Sequence, residues 1–126
     1  MASLTLYHNP HCGTCVTATP LLEAEATKKG FQLEKIEFRY NPLTSEQVEQ
    51  ILTFLGADKG SDEKTAKICR EFLRKDAPQV SSIAEAQKVV AEDPALMQRP
   101  LVVNWAAKKA MICRPADLIY EMTKDL

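Results

Sequence analysis

No apolar run in this sequence is long enough to cross a bilayer as a helix, so no membrane partner is expected. Nor is there an excess of either charge. Sixteen Lys and Arg stand against 17 Asp and Glu, a formal net charge of -1. That balance argues against bulk attraction to nucleic acid or to an anionic surface, while leaving room for a local basic pocket. Internal repeats and low-complexity tracts are missing. A strand pattern starts almost at once, so no signal or transit peptide is expected, and a reducing, cytoplasmic setting is. Finally, the single Cys-x-x-Cys has no second such pair and no His-x-x-x-His to complete a zinc site. Cys69 and Cys113 would have to complete it. Each sits on an apolar pattern and reads more simply as a packing residue.

What is present fits one domain, residues 1–126, with an ordinary core: 45% of residues are hydrophobic and 26% charged. Residues 3–8 read as a strand. A helix follows from Gly13 through Lys29, with Ala18, Leu21, Leu22 and Ala26 on one face, and Gly30 as its stop. Pro20, inside that run, should kink the helix or delay its regular part. Residues 31–38 alternate as a half-buried strand. From about 42 to 95 the pattern is helical only. Thr44 with Gln47 and Ser82 with Glu85 have capping-box form. Gly60-Ser61-Asp62 starts a further helix with Cys69, Phe72 and Leu73 as its buried stripe, closed by Pro78. Strand character returns at residues 99–103 and 110–113, joined by a turn without Gly. Pro115 suits the first position of a last helix. The fold class is therefore α/β: a β-α-β unit, a helical insertion over 42–95, and a β-β-α tail. With the insertion set aside, the rest is a thioredoxin-type order.

The chemistry is concentrated in Tyr7-His8-Asn9-Pro10-His11-Cys12-Gly13-Thr14-Cys15. A Cys-x-x-Cys between strand and helix reads as a redox motif. The free amides and positive dipole end of a helix start favour a thiolate, which is the reactive form of cysteine. Cys12, just ahead of the helix, is the expected nucleophile. Cys15, about one turn in, is placed to attack a bond formed at Cys12. His8 and His11 flank the pair, and histidine is the side-chain type suited to proton exchange near neutral pH. Two arginines stand beside prolines, Arg99-Pro100 before one strand and Arg114-Pro115 after the next. Such a bond can be cis. In a β-β-α tail both can lie near the sheet end that carries Cys12. With helix-start amides they would form a site for a tetrahedral oxyanion.

Taken together, Tyr7-His8-Asn9-Pro10 with Cys12-Gly13-Thr14, then Arg99-Pro100-Leu101-Val102-Val103, then Cys113-Arg114-Pro115, resemble the glutaredoxin-coupled arsenate reductase family. Its broader group includes Spx-type regulators. The similarity runs through the chain in order, with its strong motifs at the two ends. It implies a thioredoxin-like fold and no bound cofactor. It implies that Cys12 forms a thiol-arsenate adduct, with glutathione as co-substrate and glutaredoxin as electron donor; thioredoxin is the expected donor if Cys15 resolves the adduct. It also implies that Arg99 and Arg114 bind the oxyanion and that His8 tunes the cysteine. Arg74, in Leu73-Arg74-Lys75, matches a third family arginine at a shifted spacing, with Arg70 and Lys64 as rival positions. The chain departs from the family at Cys15, where serine is common, and at Val16, where arginine is usual. It also lacks the glycine expected in the hairpin turn. Two other functions remain open at this point: a thiol–disulfide oxidoreductase using Cys12 and Cys15, and an Spx-type redox-switched binding module.

Overall fold

The first strand, β1 (Ser3–His8), is the middle of everything that follows. In the computed structural model, which describes residues 2–58, 60 and 62–126, Leu4, Thr5, Leu6 and Tyr7 are all buried. A strand buried on both faces needs partners on both edges, and β1 has them. β2 (Gln32–Glu37) runs parallel to it, from Ser3 opposite Gln32 to His8 opposite Glu37. β3 (Leu101–Asn104) runs antiparallel on the other edge, with Tyr7 opposite Leu101. β4 (Lys109–Ile112) continues from β3 as a hairpin, so the sheet order is β2-β1-β3-β4. The hairpin turn has no glycine. Lys108 adopts the left-handed conformation there, at φ 55°.

The crossover from β1 to β2 is α1 (Gly13–Lys29). It continues across Pro20 without a break in helical assignment. A proline gives no N–H to the carbonyl four residues back, and that residue, Val16, is 59% exposed, where water can serve its carbonyl. Gly30 ends the helix at φ 76°, a conformation open to glycine at little cost, and its N–H returns to the Ala26 carbonyl. The chain ends in a 3-10 turn (Ala116–Leu118) leading to α5 (Ile119–Thr123). Pro115 sits one place before that turn, as its cap rather than its first residue. Leu4, Leu6, Ala18, Leu22, Phe31, Val102, Cys113, Ile119 and Met122 form the core of this unit, which runs to Glu37 and resumes from Arg99 to Leu126. This is the thioredoxin-like arrangement: a parallel pair joined by a helix, with an antiparallel hairpin added to the same sheet.

The second unit, Phe38–Gln98, holds α2 (Ser45–Phe54), α3 (Glu63–Phe72), α4 (Ile83–Glu92) and a 3-10 turn at Pro94–Leu96. The α2 capping box is complete, with Thr44 and Gln47 bonding reciprocally. At α4, Ser82 caps the Glu85 amide, but the Glu85 carboxylate reaches back one residue further, to the Ser81 N–H at 2.9 Å. Ser61, part of the expected helix start, lies outside the described residues. Asp62 caps α3 through the Thr65 N–H. That helix stops at Phe72, well short of Pro78, because Leu73 turns extended and forms an isolated bridge to Met97.

Candidate functional site

Cys12 is the N-cap residue of α1. Its backbone is extended, at φ -92° and ψ 123°, and its side chain makes no capping bond to the helix. The sulfur is thus held at the helix start and half exposed. Its titration is set by opposed causes. Burial raises the thiol, but the Cys15 amide, the Cys15 thiol, the Thr14 amide and the Arg114 guanidinium together outweigh burial and hold Cys12 below the ordinary thiol value. These are the groups expected at a helix N-terminus, where free N–H groups and the dipole favour an anion.

Arg114 follows β4 and Cys113. Its Nη1 donates to the Arg99 carbonyl at 3.0 Å and lies 3.6 Å from Cys12 Sγ. The carbonyl bond fixes the guanidinium plane, leaving the remaining N–H groups of this exposed side chain for an incoming anion. Arg99 itself is only 3% exposed. Its positive charge acts on Cys15. Both Arg-Pro bonds, Arg99-Pro100 and Arg114-Pro115, are cis.

Cys15 is 1% exposed. Burial, aided by the Cys12 sulfur, pushes its thiol up to about 12, against the lowering pull of the Asn9 amide and Arg99. The pair is therefore split, with Cys12 the acid and Cys15 the proton holder, and both are free thiols. Cys113 is fully buried in the core and Cys69 fully buried on α3, and burial raises both. Among the described residues, no three His, Cys, Asp or Glu side chains cluster in a way that would hold a metal ion.

His8 ends β1, half-buried, with Glu37 as its registered partner on β2. Burial lowers its pKa first, with Glu37 raising and Lys35 lowering it. His11 is exposed in the loop. Arg74 belongs to the second unit, where its Nε meets Asp76 at 3.4 Å. With Arg70 and Lys75 it lines a concavity of about 330 Å³. Arg70 pairs with Glu63 at 3.7 Å, and Lys64 is an exposed residue of α3.

Asn9, inside the Tyr7–Cys15 stretch, ties the loop to the start of α1. Asn9 is 7% exposed and makes three bonds, two within the loop and one to α1. Its Oδ1 accepts from the His11 N–H at 2.9 Å, its carbonyl accepts from the Cys12 N–H at 2.9 Å, and its own N–H points at Cys15 Sγ at 3.5 Å. The available signal was the Asn-Pro pair, since Asn turns the backbone through its own side chain. Asn9→Ala is expected to lower stability by about 1 kcal/mol, the net worth of one such bond. Asn9→Asp keeps the acceptor but places a negative charge by the thiolate. It should slow alkylation of Cys12 by iodoacetamide several-fold, and the buried charge should also lower stability in urea unfolding. Equal alkylation by Asn9→Asp and the unaltered protein would refute this account of the loop.

The sequence matches the profile of the ArsC family over residues 7–122. The arsenate reductase of Haemophilus influenzae is 31% identical, over 95% of this chain and 98% of that protein. An Escherichia coli arsenate reductase is 23% identical, over 99% of this chain and 84% of its own length. The structure of an arsenate reductase from Vibrio cholerae superimposes with a TM-score of 0.72, covering 95% of this chain and 97% of that one at 22% identity, a likeness of fold. With Cys12 at the helix start, Arg114 against its sulfur and the family match spanning nearly the whole length, this chain belongs to the ArsC family.

Proposed function

We propose that this protein is a thiol-dependent reductase that converts arsenate to arsenite, with Cys12 as nucleophile. The observation that carries it is Arg114, whose Nη1 lies 3.6 Å from Cys12 Sγ while anchored on the Arg99 carbonyl. A guanidinium beside a thiolate at a helix start suits a tetrahedral oxyanion approaching that sulfur. The Cys12 thiolate attacks arsenic(V), and one arsenic-bound oxygen leaves as water. A second thiol then attacks the Cys12 sulfur. The arsenic–sulfur bonding pair stays on arsenic, which departs as arsenic(III), and the two sulfurs are left as a disulfide. Two thiols lose one electron each and arsenic gains two.

In this reading Arg99 and Arg114 hold the oxyanion, and Arg74 is the third arginine, with Arg70 and Lys64 as its rivals. His8 exchanges protons near the cysteine. No cofactor stays bound, glutathione is the external thiol, and glutaredoxin or thioredoxin restores the reduced enzyme in the cytoplasm. The chain works as a single domain, 1–126, with the 42–95 segment inserted. The test is arsenite formation from arsenate by purified protein with glutathione, with glutathione plus glutaredoxin, and with thioredoxin plus its reductase. Activity is expected with at least one donor, and its absence with all three rejects the proposal.

A second reading, thiol–disulfide exchange without an arsenate role, is favoured by one observation: Cys12 caps α1 and Cys15 lies in its first turn, both as free thiols. It predicts reduction of a protein disulfide such as insulin's, and loss of that activity in Cys15→Ser.

A further inference from the structure

We propose that Cys15 is the second thiol of the arsenate reaction, so that arsenite leaves as a Cys12–Cys15 disulfide closes within the chain. This rests on the arsenate reading above and goes further: an external thiol is then needed only to reopen the disulfide, not to release arsenite.

The geometry supports it at three points. Cys12 is the helix cap and Cys15 lies in the first turn, so both sulfurs belong to the start of α1. The resolving sulfur is therefore already beside the sulfur it must attack, and a positioned intramolecular group outcompetes a dissolved one by a large effective concentration. The Asn9 N–H donates to Cys15 Sγ at 3.5 Å and holds that sulfur in place. The charges are also divided, with Arg114 against Cys12 and Arg99 acting on Cys15. Each sulfur thus has its own cation when it must carry negative charge.

The step balances. In the adduct, Cys12 sulfur is bonded to arsenic(V) and has become electrophilic. The Cys15 proton passes to an arsenic-bound oxygen, and the Cys15 sulfur attacks Cys12 sulfur. The sulfur–sulfur bond forms as the sulfur–arsenic bond breaks, and its electron pair leaves with arsenic as arsenite. Cys15 keeps its proton until then, because burial disfavours its thiolate. Reopening needs an external thiol or dithiol. Cys15 is 1% exposed, so that reductant must attack the half-exposed Cys12 sulfur, with Cys15 as the leaving group.

The experiment uses protein fully reduced, then freed of reductant, and mixed with arsenate alone. Wild type is expected to yield up to one arsenite per chain. Peptide mass analysis should find the Cys12–Cys15 segment lighter by two hydrogens. Cys15→Ser, which keeps a hydroxyl beside Cys12, and Cys15→Ala should yield only background arsenite. Both should recover turnover when glutathione and glutaredoxin are added. If wild type releases arsenite only with glutathione present, and Cys15→Ala matches it, internal resolution is overturned while arsenate reduction stands. A disulfide mapped to Cys69 or Cys113 instead also overturns it. Absence of arsenite from wild type with every donor overturns both.

Discussion

Cys12→Ser should lower arsenate turnover by at least about a thousandfold, which corresponds to about 4 kcal/mol of barrier. Two independent reasons set the size. A hydroxyl is far less acidic than a thiol, and the helix amides and Arg114 cannot make up that gap. More basically, an oxygen can form an ester with arsenic but cannot donate electrons to it, so reduction stops even where attack occurs. Stability should move the other way. Cys12 caps α1 without a side-chain bond to it, and serine is among the preferred residues at that position. The variant should unfold at an equal or higher urea concentration, by up to about 1 kcal/mol. A dead but slightly more stable protein would show that the cap position is given over to chemistry at the expense of the fold. Retained turnover in Cys12→Ser would move the nucleophile elsewhere and refute the assignment.

Arg114→Ala is the second large effect, a loss of roughly a hundred- to a thousandfold in arsenate kcat/KM, as for removal of one preorganised donor to an oxyanion. Its pH dependence separates the two roles of this side chain. The guanidinium is one of the groups holding Cys12 below the ordinary thiol value. Without it the Cys12 pKa rises, and the rising limb of activity and of iodoacetamide alkylation shifts toward alkaline pH. The deficit should therefore be greatest in neutral or mildly acidic buffer and shrink as pH rises past the new pKa. Whatever deficit survives in alkaline buffer measures lost oxyanion contact alone. Arg114→Lys keeps a charge but loses the planar guanidinium's further N–H groups, beyond the Nη1 that meets both the Arg99 carbonyl and Cys12, so its loss should be smaller than that of Arg114→Ala. An alkylation profile unchanged in Arg114→Ala would rule out its influence on the thiol.

Much of the architecture was open to sequence reading because each element carried its own local signal. The apolar run of β1, the helical spacing of Ala18 and Leu22, Gly30 as a stop and the Thr44 cap are all decided within a few residues. Where reading missed, the deciding force came from further away. Leu73 leaves the helix to pair with Met97, a partner distant in sequence, so Pro78 was the wrong boundary marker. The hairpin turn shows no glycine because Lys108 takes the left-handed conformation itself. In the site, Cys12 was legible from strand–turn–helix order. The contacts of Asn9 were not, since they are made by its backbone as much as its side chain. Nor could sequence divide the arginines, giving Arg114 to one sulfur and Arg99 to the other. That division depends on where the segment entering β3 and the segment leaving β4 come to rest.

The position of β1 between β2 and β3 has a consequence for motion. Its amides are bonded into neighbours on both edges, one parallel and one antiparallel. Such amides exchange with solvent only through openings that disrupt most of the surrounding unit, whereas loop amides exchange through local fluctuation. The reactive loop leaves this strand directly after His8. The cysteine is thus tethered on its upstream side to one of the slowest-opening segments of its unit. Reagents that act on the half-exposed Cys12 in the native protein therefore need no unfolding of the sheet beneath it.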